Sequence, residues 1–588
     1  MSVQDLNLTV SGLYELLSEV KSLKNQGTVV HRLPNEILRL IFKHLVSRRE
    51  AYSGYELHAY RGRKTGVDTG TILRLTHVCR RWRDLLLGCP SFWARTGCFF
   101  AEGTRTYLER SGSAPLSLAL SDDDPNAEDI LAKHGWRLKR LDLAISEGSD
   151  FPSLLPTISP WPSSLECLTI YAERRRSTDG PRRPSSLQFS PPSLGLKALA
   201  LVPAPYWLPS NHFPALTHLT LDGGSEMRLP TVKSLLTLLM NSPALQFIHI
   251  SAVDLDAKDD TIPQSTPTIA LNQLRFLVFV SCEVETFDLL NYLSIPRHAC
   301  LRVHDAEVQD SGRLRVPSLP LMEDLEELEI ATEGAKLHVV ATDGRSRGFW
   351  LQGCAEESVS WKPWICDTLP ATIPLSSITS LRVYLGDDLA ILPTVLSHMP
   401  KLSELWVSFP YSHPDPDESN HMPLKPSAGA DAPADVVNQS LAYEAQGCLN
   451  LRHIHLEVVL HFQRILAVYT SEDDGGAAFA DMCPPILVRI MATRAKAGLP
   501  VSLLTVQPVV SAENVYSRQS ALALRPLIGR AFVPVEQYVE ELTVHPVFVS
   551  WDRTTRIFEM KSLWNIDGAE EYWDLHVYEM PKYDLPCP

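Results

Sequence analysis

The sequence predicts an α/β protein: a small all-α module first, then a curved solenoid of stacked strand–helix repeats with a C-terminal cap. Three observations predict it. The 588 residues include 85 leucines, many in a six-residue frame, Leu-x-x-Leu-x-Leu, that recurs along the chain. The 44 prolines outnumber the 29 glycines, so breakers separate many short elements and few long helices fit. The first 100 residues carry 15 Lys+Arg against 8 Asp+Glu, a net +7, which leaves −22 for the rest of a chain whose total is −15.

Several classes are excluded by composition. Hydrophobic residues are 45% and charged residues 21%, which is enough apolar material for a core and too much for a disordered chain. No apolar run approaches the ~18 residues of a membrane span. Residues 1–30 lack the charged start, apolar block and small-residue cleavage site of a secretory leader. The 11 cysteines are scattered, with no Cys-x-x-Cys pair, so reduced thiols in the cytosol or nucleus are expected, with no cofactor and no metal. The acidic body argues against nucleic acid as its partner, and the basic head suits an acidic one.

Residues 1–28 form the first segment. Leu13, Leu16, Leu17, Val20 and Leu23 fall at helical spacing over residues 12–25, predicting a short amphipathic helix that packs on its own protein or on a partner helix. Residues 29–100 form the helical module. Pro34 suits the first turn of a helix, where its missing N–H costs nothing, and Glu36 suits the helix dipole. Ile37, Leu38, Ile41, Phe42 and Leu45 continue one apolar stripe. A second helix is expected from about Thr71, with Leu75, Val78, Cys79, Trp82, Leu85 and Leu86 on one side and Arg74, Arg80, Arg81 and Arg83 beside them. Pro90-Ser91-Phe92-Trp93 closes the module with aromatics.

The strings Leu33-Pro34-Asn35-Glu36-Ile37-Leu38, Val78-Cys79-Arg80-Arg81-Trp82-Arg83-Asp84-Leu85 and Pro90-Ser91-Phe92-Trp93 resemble the F-box motif over residues 31–95. The resemblance implies docking on the Skp-type adaptor of a cullin–RING ubiquitin ligase. It assigns Leu33, Pro34, Ile37, Leu38, Ile41, Phe42, Val78, Cys79 and Trp82 as adaptor contacts or their supports, with Trp82 equally suited to the module's core. The family joins its first two helices closely, whereas residues 47–70 intervene here. That insertion is read as a surface loop, since long surface insertions cost little.

Residues 101–530 carry the repeated frame. It starts at Leu138, Leu165, Leu196, Leu216, Leu245 and Leu274, with spacings of 27, 31, 20, 29 and 29 residues. Further copies start at Leu325, Ile378, Leu402 and Leu451, and a weaker one spans Val539–Val544. Each frame is a short strand whose leucines need neighbouring strands to bury them. Thr231–Asn241, Asp388–Met399 and Pro485–Gly498 read as helices between frames. The period and the frame resemble the leucine-rich repeat. With the head, the combination is similar to F-box proteins with leucine-rich repeats of the kind abundant in mushroom-forming fungi.

In such a solenoid the non-leucine strand positions line the concave face. Here they are Arg140, Asp142, His218, Thr220, Phe247, His249, Glu327, Glu329, Trp406, His453 and His455. That face either receives a protein substrate or is an ordinary solvated surface. Segments 173–193, 254–267 and 410–433 read as loops, and Arg174-Arg175-Arg176-Ser177 within the first reads as loop or as a kinase or nuclear signal. Residues 531–588 are rich in tryptophan and tyrosine, with strands expected at Val547–Val549 and Leu575–Tyr578, and are expected to cap the last repeats.

No enzymatic site is expected. Gly344-Arg345-Ser346-Arg347-Gly348 matches a nucleophile-elbow string, but strands are expected on both sides of it, which makes a hairpin tip. Asp122-Asp123-Asp124 reads as a turn. Two functions remain. One is a non-catalytic substrate-recognition subunit of an SCF-type ubiquitin ligase. The other is a protein-binding scaffold without a ligase role, its head buried as a cap on the repeats.

Overall fold

The computed structural model describes residues 3–52, 70–97, 101–121, 124–145, 164–172, 195–202, 208–223, 231–253, 268–308, 314–333, 335–344, 347–355, 360–384, 391–411, 449–460, 491–492, 494–511, 532–545, 547–549, 552–553, 572–573 and 583–584. The chain forms two compact units: Met1–Leu245 with Asp567–His576, and Gln246–Ile566 with Val577–Pro588. The segments read above as loops at 173–193 and 254–267, most of 410–433, and the expected strand 575–578 lie outside the described residues.

The first unit opens with helix α1, Val3–Gln26, longer than the 12–25 expected. None of its residues is buried, and Leu13, Leu16, Leu17, Val20 and Leu23 all stay exposed. The expected packing of this helix on its own protein is not found. Helix α2 spans Asn35–Tyr52. The stretch read as a loop from Ser47 therefore begins as a continuation of this helix, and residues 53–69 lie outside the described residues.

The second expected helix is two helices, α3 at Gly70–Thr76 and α4 at Arg80–Leu87. The break has a local cause. Cys79 is extended (φ −159°, ψ 168°). The Thr76 hydroxyl donates to the Leu73 carbonyl at 2.7 Å, and Arg83 Nε donates to the Thr76 carbonyl at 3.0 Å. The Leu73 and Thr76 carbonyls of α3 are thus taken by side chains, while those of Arg74 and Leu75 accept from the His77 and Val78 N–H groups in a tight closing turn. Leu38, Phe42, Ile72, Leu75, Leu85, Leu86, Phe92, Trp93 and Tyr107 close the core. Trp93 donates its indole N–H to the Leu86 carbonyl at 2.9 Å.

After Trp93 the chain enters a parallel sheet. Its strands are β1 (Arg95–Gly97), β2 (Leu116–Ser121), β3 (Leu138–Ile145), β4 (Cys167–Ala172), β5 (Ala198–Val202) and β6 (His218–Asp222). Each pairs in parallel with the next. The register sets like beside like: Leu118, Leu141, Leu168, Leu199 and Leu219 form one row, and Leu120, Leu143, Ile170, Leu201 and Leu221 a second. Helices α5 (Ala101–Arg110), α6 (Ala127–His134) and α7 (Val232–Met240) lie between strands in sequence. Thr231 caps α7 by accepting from the Ser234 N–H at 3.2 Å, a side-chain cap of the ordinary kind. Buried Arg137 donates to Ser111 Oγ and the carbonyls of Ala114 and Leu108 at 3.0–3.3 Å, tying the end of α5 to the start of β3.

The second unit continues the same grammar with β7 (Phe247–Ser251), a short pair formed by β8 (Ile269–Ala270) and β10 (Leu293–Ser294), β9 (Phe276–Val280) and β11 (Cys300–Val308). Then it departs from simple succession. The strands β12 (Glu327–Glu333), β13 (Lys336–Thr342) and β14 (Gly348–Ala355) are consecutive antiparallel neighbours. β14 returns to pair in parallel with β11, and β12 carries the next parallel strand, β15 (Ser380–Tyr384), preceded by the short helix α8 (Leu369–Thr372). The spacings of 51 and 53 residues around Leu325 arise from β11 and from this antiparallel insertion. Beyond helix α9 (Leu392–Ser397), β16 (Glu404–Tyr411), β17 (His453–Leu460), β18 (Val501–Ser511) and β19 (Val539–Val544) succeed one another in parallel. β20 (Val547–Val549) pairs with the end of β18.

The elbow-like string sits where expected of a hairpin: Thr342 of β13 is registered with Gly348 of β14, and Arg345 and Ser346 between them lie outside the described residues. Asp124 accepts from the Asn126 N–H at 2.8 Å, a turn contact. Of the expected helix 485–498, residues 491–492 and 494–496 are helical. Among the described residues no helix is long and apolar enough to cross a membrane.

One close approach in the insertion generates a prediction. A Cβ on Gly353 would sit 2.7 Å from the Trp361 ring, and Trp361 is buried and anchored by its N–H to the Ala335 carbonyl at 3.0 Å. Neither side can give way, so Gly353→Ala is expected to destabilise by ~1–3 kcal/mol. Urea unfolding of the variant checks it, and an unchanged midpoint contradicts this packing.

Candidate functional site

Two surfaces carry the residues singled out by sequence. The first is the helical module. Leu38 and Phe42 are completely buried, so they hold the module's shape and offer no surface. Phe42 meets Trp82 edge-on at 4.8 Å between ring centroids and Phe92 at 6.5 Å. Trp82, Leu33 and Cys79 are half-buried, Trp82 and Leu33 packing on the core. Pro34, Ile37, Ile41 and Val78 are exposed. Exposure reaches 41% for Ile37, 39% for Ile41 and 56% for Val78, with Leu45 close by on the α2 stripe at 42%. A core that is already closed does not need these side chains, which stay as exposed apolar residues of the module.

Arg81 shapes that surface, which its place in a basic run did not reveal. Its guanidinium donates to Asn35 Oδ1 at 2.9 and 3.2 Å, to the Leu33 carbonyl at 2.6 Å and to the His31 carbonyl. It thereby clamps the turn that enters α2 against the first turn of α4. Planar guanidinium donors suit such a fork of acceptors.

The family comparison bears on this module. Residues 30–98 match the F-box-like family. F-box domains generally bind Skp-type adaptors of cullin–RING ubiquitin ligases and are typically non-catalytic adaptor modules. No curated protein sequence matches the chain.

The second surface is the sheet face opposite the leucines. The sequence pattern leaves it open to solvent, and the structure buries most of it. In the first unit Asp142, Thr169, His218 and Thr220 are all under 4% exposed. The cover comes from a distant part of the chain. Trp573 packs on Cys167, Ala198, Ala200 and Val202. Its indole N–H donates to Thr169 Oγ1 at 3.1 Å, and Arg140 Nη1 donates to the Tyr572 carbonyl at 2.5 Å. His218 meets the Tyr572 ring edge-on at 4.8 Å. These two residues fall within the segment expected to cap the last repeats, but they lie on strands of the first unit. The small side chains of β4 and β5 leave the room that an indole fills.

In the second unit the face residues cover one another. The register puts Arg302 beside Trp350, and Glu329, Arg382, Trp406 and His455 in one row. Arg302 lies 3.9 Å over the Trp350 ring, and Arg382 5.3 Å over Trp406. Trp406 and His455 stack at 3.8 Å. Arg382 also pairs with Glu457 at 3.3 Å. Glu404 accepts from Trp406 Nε1 at 3.0 Å and Ser380 Oγ at 3.2 Å, and it pairs with His455 Nε2 at 3.2 Å. The His455 hydrogen bond, with that from Trp406, holds the Glu404 carboxyl down at about 2 despite partial burial. Phe247 and His249 are buried, Glu327 is half-buried, and His453 stays exposed.

Along this row charged and aromatic side chains thus cover one another. Burial pushes the thiols of Cys167 and Cys300 up to about 12 and about 11, so neither supplies a thiolate near neutral pH. Among the described residues no cluster of His, Cys, Asp and Glu could hold a metal ion.

Burial also lowers two histidines of this face, His304 to about 4 with help from Arg302, and His338 to about 3 with help from Lys336. Their unfolded value is about 6.5. Both are neutral in the folded and unfolded chain above that pH, so their contribution to stability is complete there. Below it the unfolded chain takes up protons that the folded chain refuses, and stability is lost as pH falls from ~6.5 toward ~4 and ~3. The midpoint of urea unfolding is expected to drop over that window, and His338→Gln to flatten the drop. Equal slopes in both proteins contradict a neutral buried His338.

Proposed function

We propose that the chain is a substrate-recognition subunit of an SCF-type cullin–RING ubiquitin ligase, with no chemistry of its own. The observation that carries this reading is the exposed set Pro34, Ile37, Ile41 and Val78 on the module that matches the F-box-like family at residues 30–98. Those residues are the adaptor surface in this proposal, with Leu33, Cys79 and Trp82 at its edge and Leu38 and Phe42 as its buried supports. A groove that takes a helix face draws its energy from a few such apolar anchors. The basic head, +7 over the first 100 residues, favours encounter with an acidic adaptor.

The parallel strands, in this reading, are degenerate leucine-rich repeats that receive a protein substrate. Arg140 and His218 serve in the first unit, and Phe247, His249, Glu327, Trp406, His453 and His455 in the second. The proposed site of action is the cytosol or nucleus, in keeping with the free cysteines among the described residues. The scaffold reading needs the head stripe covered as a cap, and the exposure of Ile37 and Ile41 disfavours it.

Co-purification with a Skp-type adaptor tests the proposal. Ile37→Asp combined with Ile41→Asp replaces exposed residues, so folding is kept and adaptor affinity is expected to fall at least about tenfold. Phe42→Ala acts differently, costing ~3–5 kcal/mol of module stability by emptying the core. An intact, folded chain that binds no adaptor overturns the reading.

A further inference from the structure

The face of β3–β6 is built as a trough. Its floor is small: Cys167 and Thr169 of β4, and Ala198 and Ala200 of β5, are paired in register across the two strands. Its ends are larger and polar. Arg140 on one side is held by Asp142 through a 2.9 Å ion pair, and His218 on the other by a 2.8 Å contact between Nδ1 and Thr217 Oγ1. A floor of small side chains exposed alone would be a poorly packed hollow of the kind a sheet avoids. Here the hollow accepts one indole, with an acceptor for its N–H and a guanidinium for the preceding carbonyl.

The occupant has the character of a ligand. Tyr572 and Trp573 are separated from Arg140 and Thr169 by 432 and 404 residues of chain. They sit in the stretch Glu570-Glu571-Tyr572-Trp573-Asp574, an aromatic pair within acidic residues. What the trough recognises is a short motif: one main-chain carbonyl, one indole and one aromatic edge. A peptide from another protein with the same features meets the same groups.

We propose that this trough is a binding site for peptide segments bearing adjacent tyrosine and tryptophan, occupied in cis by Tyr572–Trp573. A substrate presenting such a segment displaces the internal one. The tethered copy competes intramolecularly, so it suppresses weak competitors and admits strong or multivalent ones. The use of the site for ubiquitin transfer rests on the receptor reading above, whereas the binding itself does not.

The test uses the full chain carrying Tyr572→Ala and Trp573→Ala, with folding checked by thermal melting. The probe is a fluorescein-labelled peptide of residues 567–576, followed by anisotropy. The double variant is expected to bind it saturably, at least about tenfold more tightly than the unaltered chain, whose site is filled. Adding Arg140→Ala and Thr169→Val to the variant is expected to cost at least about tenfold, since both polar anchors are lost. If the double variant does not fold, Trp573→Phe keeps the ring and removes the N–H, and about a threefold or greater gain over the unaltered chain is expected. A folded variant that takes up no peptide, or takes it up no better than the unaltered chain, overturns the proposal. Adaptor co-purification is unchanged in all these variants if the module is intact, so a failure of the receptor reading shows there and a failure of the trough shows only in anisotropy.

Discussion

The structure depends on parallel register. A single strand of this chain has a short line of apolar side chains and cannot bury them alone. Parallel pairing brings each leucine beside its counterpart, as in the row Leu118, Leu141, Leu168, Leu199 and Leu219. In the second unit the corresponding row runs through Ile248, Leu277 and Leu301, and resumes at Leu328, Leu381, Leu405, Ile454, Leu504 and Leu542. A slip of one residue would turn every such row to the opposite face. The leading leucines Leu138, Leu165, Leu196, Leu216 and Leu245 are buried as well, at the entry to the strands.

Register also arranges the opposite face. Positions between the leucines are carried into rows by the same pairing, whatever their chemistry. Ala198 and Ala200 thus meet Cys167 and Thr169 to make a floor, while Arg382, Trp406 and His455 meet as a charged and aromatic ladder. Parallel sheets are covered on both faces, and this chain provides the cover in two ways. In one unit an aromatic pair is delivered from far along the sequence. In the other, large side chains lie flat on their neighbours.

The antiparallel insertion shows how the parallel ladder tolerates interruption. β13 runs against β12 and β14, yet Val339 and Ala341 are registered with Ile330 and Leu328 on one side and with Leu351 and Phe349 on the other, and both are fully buried. The ladder thus passes through the inserted hairpin without losing its apolar column. Gly353 and Trp361 mark a close contact between the insertion and the segment C-terminal to it.

Local periodicity and short motifs were enough to reveal the strand frames, the helical module and the apolar stripe of α2, because each is written within ten or fifteen residues. They showed the frames at Leu138, Leu216 and Leu402 and missed β2, β11 and β18, whose apolar residues are Leu116–Leu120, Leu301 with Val303, and Leu504 with Val506 off the full leucine spacing. The candidate adaptor residues were all placed on one module. Which of them face out was settled by packing, where Phe42 closed on Trp82 and Phe92 and left Ile37 and Ile41 outside. It took the folded chain to show that Thr76 and Arg83 bond the last turn of α3, that Arg81 clamps the entry to α2, and that Trp573 meets Thr169. These are hydrogen bonds between residues whose separation carries no periodic signal, and a side chain's partner 404 residues away is set by what hollow the folded sheet leaves, not by anything in its own neighbourhood.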